Sequence, residues 1–370
     1  MPHCHCKTRP VVAWLLSVYI LITTSLVGTA EAGQTDRLLK RIPMPDSWNL
    51  PAKAINTKKL PYFALDKNAE NDDLLPVYQI APDTYFLFGS IATLDQSNRG
   101  WNGNAGFVIT REGVVVIDSL GTPKLGNRMI ATIRSMTERP IKYLIITHNH
   151  PDHAYGAAAF QRIDGIKVIA HKGTLEYNNS STMEASVNYR KEILPEDMKD
   201  FQPVTADAYL GNREFEKYTV KLGDSVFEIY NTGRHHSYGD LVVYQKKENI
   251  VWISDLAFNQ RTTYMGDGDS KQILEAQQWL MKTFPDASLM VPGHGAPQTK
   301  PFPMVKKTND YVKRLRKEMM EAVENGVSLY DAVQNSEFPD WKDSRLYEEN
   351  HRANANFVYR EMEKEYFENF

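Results

Sequence analysis

Between Ile146 and Gly156 the chain reads "ITHNHPDHAYG", which sets His148, His150, Asp152 and His153 within six residues. Imidazole nitrogens and carboxylate oxygens are ligands of divalent metal ions, so type and spacing both point to metal chemistry. Residues two apart in an extended segment project to the same side, so His148 and His150 can face one ion. Pro151 turns the chain into a helix start, from which Asp152 and His153 face back toward a second ion nearby. Zinc takes about four ligands, so the cluster requires help from distant residues.

The help stands at the ends of apolar runs. "NTGRHHSYGD" supplies His235 and His236, and "VPGHG" supplies His294. "VWISDLAF" puts Asp255 directly after an apolar strand, where a lone carboxylate needs a partner. Five of the eight histidines beyond residue 32 thus fall to one site. His171, ending a strand, and His351, on the apolar stripe of a helix, read as structural. Trp101 reads either as a cap on the cleft or as an ordinary loop aromatic.

These residues must be positioned by the elements between them. "VYQIA", "TYFLFG", "GFVIT" and "GVVVID" read as short strands, with a hairpin turn at Arg111-Glu112-Gly113 between the last two. Thr122-Pro123 starts a helix carrying Leu125, Met129, Ile133 and Met136 at helical spacing. "IKYLIIT" reads as a strand buried on both faces, and "GIKVIAH" as another. Residues 172–215 read as a long, partly helical insertion. Strands return with "YTVKLG", "SVFEIYNT", "DLVVYQ" and "IVWISD", followed by a helix over 271–283 and a last strand in "SLMVPGHG". Beyond Pro301 the pattern is helical, first through Val312, Leu315, Met319 and Ala322, then through Tyr347, His351, Val358 and Met362. This order fits an α/β sandwich of two sheets covered by helices, with a C-terminal helical extension.

Residues 1–32 stand apart from the fold. Lys7 and Arg9 precede an apolar stretch from Val11 to Val27, and Ala30-Glu31-Ala32 offers small residues for cleavage. That layout predicts a signal peptide removed near Ala32, a periplasmic or secreted protein, and no stable membrane anchor after processing. Both cysteines, Cys4 and Cys6, lie in this leader, so the remaining chain offers no disulfide and no thiolate ligand. Lys7, Arg9 and Glu31 give the leader a net charge of +1, leaving −4 for the rest of a chain of −3. No basic block follows, which argues against nucleic acid as a partner and for a small-molecule substrate. The expected organisation is a leader at 1–32, an N-terminal arm at 33–76, a metal-hydrolase domain at 77–300 and a helical extension at 301–370.

The ordered set of H-x-H-x-D-H at 148–153, H-S-Y-G-D at 236–240, Asp255 after "VWIS" and the final G-H-G resembles the metallo-β-lactamase superfamily over about residues 77–300. The resemblance implies an αββα sandwich with a two-metal site on one edge. It matches His148, His150 and His236 to the ligands of the first ion and Asp152, His153 and His294 to those of the second. Asp255 matches an aspartate bridging both ions, and Asp118, closing "VVVID", an aspartate standing behind the ligands. His235 then becomes a neighbour of the ligands or a substrate contact, as do Tyr238 and Asn149. The context "HPDHAYGAAAF", the leader and "NHRANANFVYREMEKE" also resemble exported members associated with quinoprotein systems and sulfur oxidation. This narrower likeness implies a periplasmic quinoprotein partner.

Dedicated zinc β-lactamases often carry cysteine or serine where Asp255 stands, so the likeness favours the ester, lactone, thioester and phosphoester branches. The expected function is a dinuclear zinc hydrolase in which a hydroxide shared by two ions attacks an ester-like bond. Asp152 and Asp255 would orient it, Asp255 passing a proton to the leaving group. The ligand set also accepts iron or manganese. Three other readings stay open: a β-lactam hydrolase, an iron-dependent persulfide oxygenase on the same scaffold, and a non-catalytic accessory of a quinoprotein. Metal content and substrate turnover separate them.

Overall fold

The computed structural model describes residues 74–368. The leader, its cleavage point near Ala32 and most of the expected N-terminal arm lie outside the described residues. Two sheets form the centre. In the first, strands β1 (Tyr78–Ala81), β2 (Thr84–Leu87), β3 (Ala105–Ile109), β4 (Val114–Ile117), β5 (Ile141–Ile145), β6 (Lys167–His171) and β7 (Ala208–Leu210) lie side by side in chain order. The second runs β12 (Leu289–Pro292), β11 (Ile250–Ser254), β10 (Leu241–Gln245), β9 (Ser225–Asn231), β8 (Lys217–Leu222).

Alternation along the strands sorts side chains between layers. Val115 and Ile117 of β4 face the second sheet and meet a core that includes Phe227, Ile229, Leu241, Val243 and Trp252. Val114 and Val116 face the other way, into a core with Leu125, Met129 and Ile133 of helix α1 (Pro123–Met136). Thr122 caps α1, its side chain accepting from the Leu125 amide. On the outer face of the second sheet, Val242, Val251 and Ile253 pack with Leu280 of helix α6 (Ser270–Thr283) and Val305 of helix α7 (Pro303–Glu324). The layers are therefore helix, sheet, sheet, helix. Between β5 and β8 lie the short helices α2 (Pro151–Ala154), α3 (Ala157–Phe160) and α4 (Gly173–Asn178), then α5 (Ser181–Ile193).

Three details depart from the sequence pattern. Strand β5 is not enclosed throughout, since Lys142 is exposed and Tyr143 half-buried. The insertion at 172–215 contributes β7, which adds to the sheet parallel to β6; three residues carry too little periodicity to announce it. The extension includes a further helix, α8 (Leu329–Asn335), whose seven residues bury only Ala332. Trp101 does not line the cavity; it is a loop aromatic, 2% exposed and packed into the core with residues of α1. No helix among the described residues is long and apolar enough to cross a membrane.

The last helix, α9 (Tyr347–Glu368), ties the extension to the rest. Asn354 accepts from the Met265 amide at 2.9 Å and donates to the Thr263 carbonyl at 2.8 Å. Asn350 donates to the Thr262 carbonyl at 2.8 Å. Glu361 accepts from the amide and hydroxyl of Ser270 at the start of α6, with Arg316 Nη1 3.7 Å away. Burial outweighs these contacts and raises the Glu361 carboxyl to about 7. Because that exceeds the ordinary value of 4.5, its stabilising contribution is full below pH 4.5 and is lost as pH rises through about 7. Glu361→Gln should therefore leave the thermal midpoint unchanged at pH 4.5 and raise it by about 2 °C or more at pH 8. Circular dichroism melts at both pH values check this, and an equal shift at both would contradict it.

Candidate metal centre

Four segments that leave the two sheets at one rim of the sandwich carry the donors, and the sheets are joined there. The Leu241 amide donates to the Thr147 carbonyl at 2.8 Å, and the Asn104 amide to the Gly293 carbonyl at 2.7 Å. His148 follows β5 in extended backbone. His150, with φ −62° and ψ 146°, caps α2, and Pro151 occupies the first turn of that helix. The helix then presents Asp152 and His153 from its own first turn, as the spacing suggests. His236 follows β9, Asp255 follows β11 and His294 follows β12.

The donor atoms fall into two groups, each gathered within 4.8 Å: His148, His150, His236 and Asp255 in one, Asp152, His153 and His294 in the other. Asp255 joins them. Its Oδ2 is 3.0 Å from His236 Nε2 and 3.6 Å from His148 Nε2, while its Oδ1 is 3.5 Å from His153 Nε2. His294 Nε2 stands 3.4 Å from both Asp255 Oδ2 and Asp152 Oδ2. Ligands held at 2.0–2.1 Å by a tetrahedral ion are roughly 3.3 Å apart, so these separations fit donors around ions. They are also poor hydrogen bonds. His148 Nε2, His236 Nε2 and Asp255 Oδ1 are buried with no hydrogen-bond partner, which an apolar or purely structural cluster would not tolerate. Oxygen and imidazole donors without a thiolate suit zinc, iron or manganese.

Behind these donors, a further set of contacts fixes the rings. Asp118 Oδ2 is 2.9 Å from His153 Nδ1, and Asp118 accepts from the amide and hydroxyl of Thr147 at 2.8 and 2.9 Å. Thr147 and Ser254 hydroxyls lie 3.1 and 3.2 Å from His148 Nδ1. Asp267 Oδ2 engages His150 Nε2 at 3.1 Å, which leaves Nδ1 as the nitrogen that could serve an ion. The Asn102 carbonyl accepts from His294 Nδ1 at 2.9 Å, and Asn102 Nδ2 donates to Asp152 Oδ2 at 2.8 Å. Such partners set tautomer and orientation.

Electrostatics of the metal-free chain follow from burial opposed by charge. Burial works to raise Asp255, but His294, His153, His236 and His148 hold it well below the ordinary carboxylate range. Burial works to lower His153, yet Asp255, Asp152 and Asp118 raise it to about 9. Burial first, then His153, depresses His148. To hold an ion, His153 Nε2 would have to be unprotonated, so binding there would be linked to proton release.

Beside the donors opens a cavity of about 320 Å3. Tyr177, Thr182 and Ser186 from α4 and α5 form one wall, Phe258, Arg261 and Tyr264 another, and Leu346 and Asn350 close it from the extension. His235 points elsewhere, its Nε2 3.1 Å from Thr232 Oγ1 and its Nδ1 3.7 Å from Asp240. Asp240 instead holds the His236 loop, accepting from the amides of His236 and Ser237 at 2.9 and 3.1 Å. Asn149 accepts from Ser237 Oγ at 3.2 Å, and Tyr238 meets Thr182 at 3.1 Å behind Tyr177; neither lines the cavity. His171 contacts Asn231, and His351 sits between Tyr311 and Ser336, both far from the donors in role. Sequence reasoning passed over Asp267, Arg261 and Asn102. Asp267 hides in "MGDGDS", which reads as a turn, whereas a lone arginine in "FNQRTTY" soon after Asp255 was a usable signal.

Metal analysis of variants tests the grouping. His236→Ala should lose one ion and His235→Ala none, while Asp255→Ala should weaken both sites. Asp267→Asn should weaken the ion on His150 by roughly 10–100-fold. Loss of metal in His235→Ala with retention in His236→Ala would reverse the assignment.

Comparison with known proteins bears on this geometry. The profile of the metallo-beta-lactamase superfamily matches residues 98–294. A metallo-beta-lactamase type 2 of Bacillus sp. (strain 170) is 25% identical over 189 residues, which are 50% of this chain and 64% of that protein. The chain thus spans a little under two thirds of that relative's length. A linear primary-alkylsulfatase of Pseudomonas sp. is 32% identical over 56 residues, 15% of this chain and 11% of the other. Among solved structures, a metallo-beta-lactamase from Pontibacter korlensis superposes with a TM-score of 0.51 and 22% identity, covering 65% of this chain and 99% of its own. That likeness speaks to the fold, which agrees with the layers described above. With the profile covering more than half of the residues, the chain belongs to the metallo-β-lactamase superfamily.

Proposed function

We propose that the chain is a metal-dependent hydrolase that holds two zinc ions and cleaves an ester-like bond, in a lactone, thioester or phosphoester. The observation that carries this reading is Asp255, whose two oxygens face the two donor groups. Bound there, divalent ions supply Lewis acidity and make water a nucleophile at neutral pH. The rest falls to the chain. Asp152, fixed by Asn102 Nδ2, and Asp255, fixed by its histidines, are ionised and would accept hydrogen bonds from the attacking water and so orient it. Held ionised, neither carries a proton for a leaving group. Alkoxide and thiolate leave with less protonation than an amide nitrogen, which favours esters over β-lactams. The rigid partners of each ring keep this arrangement from relaxing when substrate enters.

Tyr177, Phe258 and Tyr264 give the cavity an aromatic body, and Arg261 gives it one cation, as suits a small substrate with an anionic part. The name of the alkylsulfatase relative adds sulfate esters to the candidates. The leader at 1–32 supports export to the periplasm or beyond, where a thiol-free site is safe from oxidation.

Steady-state kinetics on a panel of carboxylic esters, lactones, thioesters, phosphodiesters, sulfate esters and cephalosporins tests the reading. An ester or lactone should give the highest kcat/KM, and Asp255→Ala should lower kcat at least about a hundredfold. A cephalosporin turned over above roughly 10⁵ M⁻¹s⁻¹, with every ester slower, would overturn it.

A further inference from the structure

The C-terminal extension meets the metal cavity through a side chain whose placement breaks two local rules. Leu346 stands at φ 58°, in the left-handed region that leucine rarely enters. It also directly precedes α9, where serine, threonine, aspartate or asparagine is favoured because each can accept from the free amides of the first turn. Leucine offers nothing on either count, so a compensating contact has to lie elsewhere. Phe302 breaks the same rules before α7, at φ 56°, and there burial in the core on the outer face of the second sheet compensates.

Leu346 has no such core. It is 8% exposed, yet no apolar cluster among the described residues includes it. Trp341 and Tyr347, before and after it in the chain, both belong to the core of the extension. What Leu346 lines is the metal cavity. The backbone holds it there. Residues 261 and 345 form a single parallel bridge, the Arg345 amide donating to the Gln260 carbonyl at 3.0 Å and the Thr262 amide to the Arg345 carbonyl at 2.9 Å. On the other side, the Leu346 carbonyl accepts from the Asn350 amide at 3.0 Å, and Asn350 Nδ2 donates to the Thr262 carbonyl at 2.8 Å. The residue is thus tied on both sides to the loop that follows Asp255.

The cavity wall is divided by chemistry. Tyr177, Thr182 and Ser186 bring hydroxyls from α4 and α5, whereas Phe258 and Leu346 bring carbon. At about 320 Å3 the space is at the lower end for a ligand pocket, so a leucine on its wall decides how large a group can enter. We propose that Leu346 is a specificity-determining residue, the apolar wall against which the organic part of the substrate packs. It admits compact acyl or alkyl groups and excludes long chains, because extra methylenes collide with a wall that the backbone fixes. The inference rests on the ester-hydrolase reading for the reaction, though not for the contact itself.

Hydrolysis of p-nitrophenyl butyrate and p-nitrophenyl octanoate by the metal-loaded full chain tests it, since the two share a leaving group and differ in acyl length. The wild type should favour the butyrate. The octanoate-to-butyrate ratio of kcat/KM should rise at least about tenfold in both Leu346→Ala and Leu346→Gly, metal content being unchanged. Glycine accepts φ 58° without strain, so Leu346→Gly guards against a folding defect in the alanine variant. A residue that merely closes the fold lowers both substrates alike, so an unchanged ratio in both variants would overturn the proposal. Calorimetric titration with butyrate and octanoate themselves gives a readout that needs no turnover, and the ratio of their Kd values should also shift toward octanoate in both variants. If no ester is hydrolysed while that ratio shifts, the ester reading fails and the wall stands. If esters are hydrolysed and neither ratio shifts, the wall fails and the ester reading stands.

Discussion

One carboxylate holds this architecture to its chemistry. Asp255 is 4% exposed at the end of a fully buried strand, a position that a charge cannot occupy alone. Four histidines from three separate segments surround it and keep it ionised. The backbone makes room at some cost. Ser254, the residue before it, stands at φ 48°, in the left-handed region, and so does Asp118 at φ 59° on the neighbouring sheet. Gly293 must be glycine, since a Cβ there would lie 1.8 Å from Asp255 Oδ1. Strain at these points is sustained by the surrounding packing.

The rest of the fold can be understood as support for that arrangement. Each ligand candidate follows a strand of the two sheets, and the sheets are stitched at that rim by the Leu241–Thr147 and Asn104–Gly293 bonds and by Thr147 and Ser254 hydroxyls 2.7 Å apart. The loop after Asp255 has a second anchor in the extension. Asn350 and Asn354 take up the backbone groups of residues 262, 263 and 265, and Glu361 and Arg316 engage Ser270. Arg261, on the cavity wall, directly precedes these anchors, and Asp267, on His150, lies between them. The C-terminal helices thus take part in shaping the site rather than merely covering apolar surface.

Much of this is legible in the sequence, for physical reasons. Histidines and aspartates at the ends of apolar strands are conspicuous because burial there is tolerable only with partners. Period-two and helical spacing reveal most elements, and Arg111-Glu112-Gly113 does turn between β3 and β4. What stays hidden depends on long-range contact. Asp267 carries no local sign of its meeting with His150, 117 residues away. Asn350 and Asn354 act through contacts to backbone groups and Asn102 through Asp152 and His294, none of which local sequence reveals. Adjacent His235 and His236 differ only in direction, and the Asp240 contact with the loop amides sets that direction. Strand β7 and helix α8 are too short for periodicity to register.

The central claim is that one carboxylate serves two ions at once. Zinc-edge X-ray absorption on the fully loaded protein tests it most directly. The account predicts zinc–zinc backscattering at roughly 3.5–4 Å in the native chain and its loss in Asp255→Ala. Two bound ions without that feature, or the feature retained when Asp255 is gone, would contradict it.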